Sequence, residues 1–110
     1  MTFTALRGLA ASFVMAAAII FSLGAPARAQ EVKVTIDNFT FSPAELKLKV
    51  GDTVTWTNHD DIPHTVVSAG KFRSKTMDTV NTFSFTFTSA GDYKYFCSLH
   101  PHMTGMIKVE

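Results

Sequence analysis

Apolar and polar residues alternate along most of this chain, and few folds accommodate such a pattern. The clearest case is the segment 82–88, where Phe83, Phe85 and Phe87 are separated by serine and threonine. A period of two residues places successive side chains on opposite faces of a β-strand. We therefore expect a strand here whose phenylalanine side chains belong to a hydrophobic core.

The same period recurs in short segments that turn residues separate. Gly51-Asp52 and Gly91-Asp92 are turn pairs, and Pro43 should end a strand because proline has no amide hydrogen for a ladder. About seven short strands, with turns roughly every eight to twelve residues and no helical period after residue 30, predict an all-β fold: an antiparallel Greek-key β-sandwich. We place the strands in the segments 32–41, 46–50, 54–58, 65–68, 82–88, 93–97 and 107–109.

The N-terminal segment has the three parts of a secretory signal peptide. An arginine provides a positive start, an almost unbroken apolar run spans 9–23, and Ala-Arg-Ala at 27–29 matches a cleavage site. A retained membrane anchor is the alternative, although the apolar run is shorter than the roughly 20 residues that a spanning helix needs. We therefore expect a cleavable signal peptide over 1–29 and one small domain over 30–110, with no membrane span in the mature chain.

The composition of the mature segment restricts the function. The signal peptide contains two arginines and no acidic residue, so its removal changes the formal charge from +1 to −1. This balance does not indicate a nucleic-acid-binding protein. A domain of this length buries only about 60% of its unfolded surface and usually needs a disulfide or a metal. Cys97 is the only cysteine, so a bound metal is the expected stabiliser.

Cys97 needs an explanation of its own. An exported protein enters an oxidising compartment, where an unpaired thiol readily forms unwanted disulfides. Metal ligation would account for it, and a buried, inert cysteine is the alternative. The neighbours favour ligation, because His100, His102 and Met103 follow closely. Thiolate and thioether are soft donors and imidazole is intermediate, so this set indicates copper more than calcium, magnesium or an ordinary zinc finger.

A further donor lies far upstream. In a β-sandwich the loop before one strand can approach the loop after another, so His64 can join Cys97 and His100. Two histidines and a thiolate in one plane, with a methionine as a weak axial ligand, form the arrangement of blue copper sites. We therefore predict a metal site of four residues, namely His64, Cys97, His100 and Met103. This site leaves no position open for a substrate, so we expect no enzyme activity.

Three other residues resemble ligands. Met106 precedes Ile107, whose side chain should point inward, so Met106 should point outward and Met103 is the methionine ligand. We interpret His102 as a surface residue and His59, beside two aspartates, as a solvated loop residue. A secondary copper site at His59 or His102 is the alternative.

Two regions of the sequence resemble the cupredoxins, or type 1 blue copper proteins. The segment 92–105, with its Cys-x-x-His-x-x-Met spacing, resembles the ligand loop of amicyanin-like and plastocyanin-like members, and its short gaps are similar to those of the amicyanins. The segments 51–58 and 62–66 resemble the family's first-histidine region. The resemblance implies a cupredoxin domain over 30–110 with one type 1 copper ion, in a periplasmic monomer. Amicyanins carry asparagine where this chain has Thr65, so the hydrogen bond between the ligand loops should differ.

These observations lead to a functional hypothesis. We interpret the chain as an exported, soluble one-electron carrier that cycles between Cu(I) and Cu(II) and exchanges electrons with protein redox partners. A copper-binding or copper-delivery protein of the same fold is the first alternative, and a thiol enzyme that uses Cys97 is the second. Lys71, Arg73 and Lys75 alternate along one segment and form either a docking patch or a solvated edge.

Overall fold

The computed structural model of the chain describes residues 28–110, which form two β-sheets around a shared core. The predicted signal peptide lies outside the described residues, apart from its last two. Residues 28–110 include no helix of the length and apolarity required to cross a membrane. The strands of this part of the chain are β1 (Glu31–Asp37), β2 (Thr40–Ser42), β3 (Glu45–Leu48), β4 (Thr53–Asn58), β5 (Val67–Ser68), β6 (Phe72–Arg73), β7 (Thr82–Thr86), β8 (Gly91–Phe96) and β9 (Thr104–Val109).

The chain changes repeatedly from one sheet to the other. One sheet has four strands in the order β2-β1-β4-β7, and the other has five in the order β3-β9-β8-β5-β6. The predicted all-β sandwich is therefore confirmed. Each sheet also contains one parallel pair, β1 with β4 and β3 with β9, among otherwise antiparallel neighbours. The alternation in the sequence could not reveal these pairs, because a period of two residues is the same in either direction.

The core between the sheets follows the alternation of the sequence. Trp56 of β4 and Tyr95 of β8 meet across the two sheets with ring centroids 5.5 Å apart. Phe87 is fully buried, whereas Phe83 and Phe85 are partly buried and pack against the core. Their partial exposure follows from the place of β7, which is an edge strand of its sheet. The prediction that these three side chains contribute to the core is confirmed.

Phe39 lies in a turn, whereas the sequence predicts that it continues a strand. Asn38 and Phe39 connect β1 to β2, with φ values of 51° and 58°. Two-residue hairpin turns with positive φ at both positions match the twist of the flanking strands, and usually carry Asn-Gly. Here a phenylalanine occupies the second position, with half of its surface exposed. A contact from another segment of the chain should therefore stabilise the backbone conformation of this turn.

Candidate metal centre

The position of Cys97 follows from the parity of β8. Tyr93 and Tyr95 are buried, so the next residue of the same parity also points into the sandwich. The Cys97 side chain is fully buried. It stands immediately after the strand, where the chain leaves the sheet and begins the loop 97–103. The sheet therefore fixes the direction of the thiol before the loop adds further donors.

The loop 97–103 closes on itself through backbone hydrogen bonds. His100 N donates to Cys97 O at 3.2 Å, Met103 N donates to His100 O at 2.9 Å, and Cys97 N donates to Met103 O at 3.1 Å. These bonds fold the loop into consecutive tight turns, which begin or end at Cys97, His100 and Met103, the residues predicted to bind the metal. Met103 is buried and His100 is half-buried. His102 is exposed, as predicted for a surface residue.

His64 is held on the opposite side of the site by a separate loop, 59–66, which connects β4 to β5. Its side chain is fully buried. Its backbone forms an isolated antiparallel bridge with Met77, with His64 N donating to Met77 O at 3.1 Å and Met77 N donating to His64 O at 2.8 Å. The buried amide of Asn58 donates to Ile62 O and to Met77 O, each at 2.9 Å. These contacts fix the loop on both sides of the histidine.

Three donor atoms converge between the two loops. The Cys97 Sγ atom lies 3.7 Å from His64 Nδ1 and 3.7 Å from His100 Nδ1. All three atoms lie within 4.8 Å of one another. Metal–sulfur and metal–nitrogen bonds of about 2.3 and 2.0 Å, at angles near 110–120°, would separate sulfur and nitrogen by about 3.5–3.7 Å. The observed spacing is therefore that of ligands around one small metal ion.

The Asp60 carboxylate orients the His64 ring. Asp60 Oδ2 lies 2.7 Å from His64 Nε2, so Nε2 carries the proton and Nδ1 faces Cys97 with a free lone pair. Asp60 also accepts hydrogen bonds from Asn38 N at 2.6 Å and Phe39 N at 3.0 Å. Burial acts to raise the pKa of Asp60, but the hydrogen bonds from Phe39 N, the His64 ring and Asn38 N outweigh it, so this pKa lies below its ordinary value.

Thr65 connects the two ligand loops. Its amide donates to Cys97 Sγ at 3.4 Å, and its hydroxyl lies 3.7 Å from the same sulfur. The hydroxyl also accepts a hydrogen bond from Ser98 N at 2.8 Å and lies 2.8 Å from Ser98 Oγ. Burial acts to raise the pKa of Cys97, but hydrogen bonding, first of all from the Thr65 amide, outweighs it and lowers this pKa to about 6. The thiolate is thus the favoured form at neutral pH.

Comparisons with known proteins agree with this geometry. A family model described as a cupredoxin-like domain matches residues 9–109. The amicyanin of Paracoccus denitrificans is 38% identical over an alignment of 85 residues, which covers 72% of this chain and 65% of that protein. The plastocyanin of Scenedesmus fuscus is 33% identical over an alignment of 95 residues, which covers 72% of this chain and 97% of that protein. The structure of an oxidised amicyanin mutant matches with a TM-score of 0.70 at 37% identity, over 73% of this chain and 82% of the other. This chain belongs to the cupredoxin family.

The donor set of this cupredoxin fits copper. It combines a buried cysteine sulfur and two imidazole nitrogens with a buried methionine. The backbone of this methionine forms hydrogen bonds with Cys97 and His100. This is the type 1 copper combination, as the sequence indicated. The structure thus brings His64, Cys97 and His100 together and places Met103 in the closing turn of the same loop. Their individual roles as ligands stay a prediction.

The residues set aside from the site lie away from this convergence. The side chain of His59 is exposed, and its backbone amide donates to Ile36 O at 2.7 Å. Met106 lies opposite Lys94 in the sheet, while its neighbour Ile107 is fully buried, so Met106 faces outward as predicted. His59 is not part of the group of histidine, cysteine and carboxylate donors found among residues 28–110.

The sequence interpretation missed two residues of this cupredoxin's site. The sequence places Asp60 in a solvated loop, although its position four residues before His64 is an available signal. The alternation predicts Phe39 in a strand, whereas its ring contacts both histidines edge-on, with centroids 5.7 Å from His64 and 5.2 Å from His100. No local pattern could have shown this contact, because Phe39 reaches the site only through its turn and the Asp60 carboxylate.

Proposed function

We propose that this chain is an exported one-electron carrier that holds a single type 1 copper ion. The proposed ligands are His64, Cys97 and His100, with Met103 as a weak axial ligand. The mature carrier is the domain over 30–110, released by cleavage of the signal peptide 1–29 and active as a monomer in the periplasm. The observation that carries the proposal is that the buried sulfur of Cys97 lies 3.7 Å from the Nδ1 atom of each of the two histidines. The homologous amicyanins and plastocyanins are copper electron carriers, which supports it.

The surrounding residues keep the site rigid during electron transfer. Bound copper would supply the Cu(I)/Cu(II) couple. Asp60 fixes the His64 ring, and the backbone turns of the loop 97–103 fix Cys97 and His100. Complete burial of His64 and Cys97 excludes water from their donor atoms. Because these side chains are already in place, little rearrangement accompanies a change of one electron.

His100 offers the electron a short path to the surface. Its ring is half-buried, unlike the fully buried ring of His64. Phe39 and Leu99, each about half exposed, lie beside it on the surface and in the ligand loop respectively. An apolar rim around an accessible ligand suits a brief contact with a protein redox partner, because transient redox interfaces are small. We therefore place the main exchange of electrons at His100.

The burial of the donors favours a carrier over the two alternatives. A delivery protein must release its metal to a partner, yet two of the proposed ligands here have no exposed surface. A thiol enzyme needs a thiolate that a substrate can reach, and Cys97 is fully buried. Four protein donors around one ion also leave no open position for a substrate.

Loading with Cu(II) tests the proposal directly. We expect an intense visible thiolate-to-copper absorption band, reversible one-electron voltammetry, and protection of Cys97 from alkylation in the loaded protein. The variant Cys97→Ser should lose the band completely. A loaded protein without the band, or a Cys97→Ser variant that retains the full visible spectrum, would disprove the role of Cys97. Rapid copper transfer to an acceptor with negligible electron exchange would favour delivery.

A further inference from the structure

A groove separates the two sheets along one side of the sandwich. It lies between β6 and β7, which are edge strands of the five-stranded and four-stranded sheets. Its volume is about 670 Å³. We call it the edge groove, and its lining residues are Arg73, Lys75, Thr76, Met77, Val80, Asn81, Thr82 and Phe83. The metal site at His100 and Phe39 uses none of these side chains.

The edge groove is positively charged although the mature chain is not. Arg73 and Lys75 are exposed, and within residues 28–110 neither forms a salt bridge. Together with Lys71 they lie in the stretch 62–77, which contains no aspartate or glutamate, and the exposed Asp78 follows it. The mature chain as a whole carries a formal charge of −1. The charge of the groove is therefore a local feature, which can orient an acidic partner without general attraction.

Val80 adds an exposed apolar side chain under backbone strain. Its surface is 71% exposed, and its φ is +67°, a value that β-branched residues rarely adopt. The turn is held by hydrogen bonds from Val80 N to Asn58 O at 2.7 Å and from Asn81 N to Asp78 O at 3.0 Å. Because its side chain is exposed, Val80 gains no free energy from burial in the core, and its positive φ is unfavourable for valine. Neither packing nor backbone conformation therefore explains a valine at this position. Residues kept in such conformations are often found at functional surfaces.

Met77 connects the edge groove to the metal site. It lines the groove, and its backbone exchanges two hydrogen bonds with His64, at 3.1 and 2.8 Å. Only Met77 and its backbone hydrogen bonds to His64 would therefore separate a molecule in the groove from this histidine. This contact lies on the buried histidine, away from the half-exposed His100.

We propose that the edge groove is a docking site for a redox partner that presents an acidic segment with an apolar side chain. Arg73 and Lys75 attract the carboxylates, Val80 contacts the apolar side chain, and the bridge from Met77 to His64 connects the docked partner to the metal. Docking as a redox event rests on the function proposed above, whereas binding of the acidic segment does not.

The first test compares two small oxidants of opposite charge. Each takes one electron from the Cu(I) protein: anionic hexacyanoferrate(III) and cationic tris(phenanthroline)cobalt(III). At low ionic strength, Arg73→Glu/Lys75→Glu should slow oxidation by hexacyanoferrate about tenfold, because local charge steers association. The control Lys33→Glu/Lys47→Glu makes the same change in net charge on exposed residues of β1 and β3. It should slow the reaction by no more than about twofold.

The outcomes separate the groove from the carrier function. Equal effects of the two double variants with hexacyanoferrate would overturn the groove proposal. The milder pair Arg73→Gln/Lys75→Gln should give a smaller effect in the same direction and keeps the test valid if charge reversal impairs folding. An unmodified copper protein that neither oxidant oxidises would contradict the carrier function, and the groove would then be judged by binding alone.

The second test measures that binding with the peptide Glu-Glu-Leu-Glu-Glu. Its addition to ¹⁵N-labelled protein should shift amide signals around residues 73–83 and not those at the opposite end. Val80→Gly should weaken binding several-fold without lowering the unfolding midpoint, because glycine adopts the positive φ without strain. The control Val50→Ser, at an equally apolar exposed site in another turn, should bind normally. Signal shifts elsewhere, or an unchanged affinity in Val80→Gly, would overturn the proposal. A dimer that Arg73→Glu/Lys75→Glu dissociates would also overturn it, because the groove would then bind a second copy of the chain.

Discussion

The two loops that supply the donors are held in place by different means. The loop 59–66, with His64, is tied to three other places in the chain. These are the turn at Asn38, the backbone of Met77, and Thr79, whose hydroxyl donates to Asp60 O at 2.6 Å. The loop 97–103 closes through its own backbone and contacts the other loop mainly through Thr65. One loop is supported from outside, and the other supports itself.

This difference assigns separate tasks to the two loops. Changes in the externally supported loop should loosen several segments at once and lower the stability of the whole sandwich. Changes in the self-closed loop should alter the metal site while the fold remains intact. A short loop that closes locally can also vary in its donor residues without a change elsewhere in the core. The predictions below test this division by comparing stability with the properties of the metal.

The largest effect is expected for Asp60→Asn in the externally supported loop. An amide cannot accept hydrogen bonds from both backbone groups and from His64 Nε2, because one of its ends is a donor. At least one donor then lacks a partner, so unfolding in denaturant should show a loss of about 1–3 kcal/mol in the copper-free protein. The reduction potential should rise, because a carboxylate bonded to a ligating histidine makes it a stronger donor to Cu(II).

Asp52 provides the matched control. It precedes β4 as Asp60 follows it, and its carboxylate accepts hydrogen bonds from Gln30 N at 2.8 Å and Lys49 N at 2.9 Å. Asp52→Asn should therefore lower stability but leave the potential and the visible band unchanged. A shift of the potential of similar size in both variants would show that Asp60 acts only through general stability.

The sequence predicted the self-closed loop better than the externally supported one. Cys97, His100 and Met103 are close in sequence, and the local spacing alone carries their arrangement. Asp60 acts through the turn at Asn38, and Phe39 reaches the histidines only because that turn folds back over the site. The same reason explains the parallel strand pairs. Alternation defines faces and edges, whereas contacts between distant segments depend on the packing of the two sheets.

Acid should weaken the externally supported loop. The pKa of Asp60 is lowered in the folded chain, so the charged carboxylate stabilises the fold fully above its unfolded pKa of about 4. This contribution is lost as the pH falls through the lower, folded value. Urea denaturation of the copper-free protein between about pH 5 and pH 2 should show the loss. The slope should be smaller in Asp60→Asn, and an identical slope in that variant would contradict the role of this carboxylate.

Met103→Gln tests the self-closed loop. Glutamine has a similar length but replaces the soft thioether with a harder amide oxygen, which favours Cu(II). We expect the variant to bind copper with a potential about 60 mV lower, a tenfold change in the ratio of the two oxidation states. Met106→Gln, on the outer face of β9, is the control and should not change the potential. An unchanged potential in Met103→Gln would point to another axial ligand.

The smallest effect is expected where the two loops meet. Thr65 Oγ1 accepts a hydrogen bond from Ser98 N, and its one proton can reach either Cys97 Sγ at 3.7 Å or Ser98 Oγ at 2.8 Å. A proton directed at the sulfur withdraws charge from the thiolate and favours Cu(I). Thr65→Val removes this donor, and voltammetry should show a potential about 20–40 mV lower, the equivalent of one modest hydrogen bond. Thr65→Ser keeps the hydroxyl and should restore the potential.

Ser98→Ala distinguishes the two orientations of that proton. If the Ser98 hydroxyl donates to Thr65, the Thr65 proton already points to the sulfur, and removal of the serine oxygen leaves the potential unchanged. If Thr65 donates to Ser98, the same substitution releases the proton toward Cys97 Sγ, and the potential rises. The first outcome is expected, because Thr65 Oγ1 can then accept from Ser98 N and Ser98 Oγ and still donate to the sulfur, so that no polar group at the junction lacks a partner. A fall in the potential would contradict both orientations and assign the junction a purely structural role.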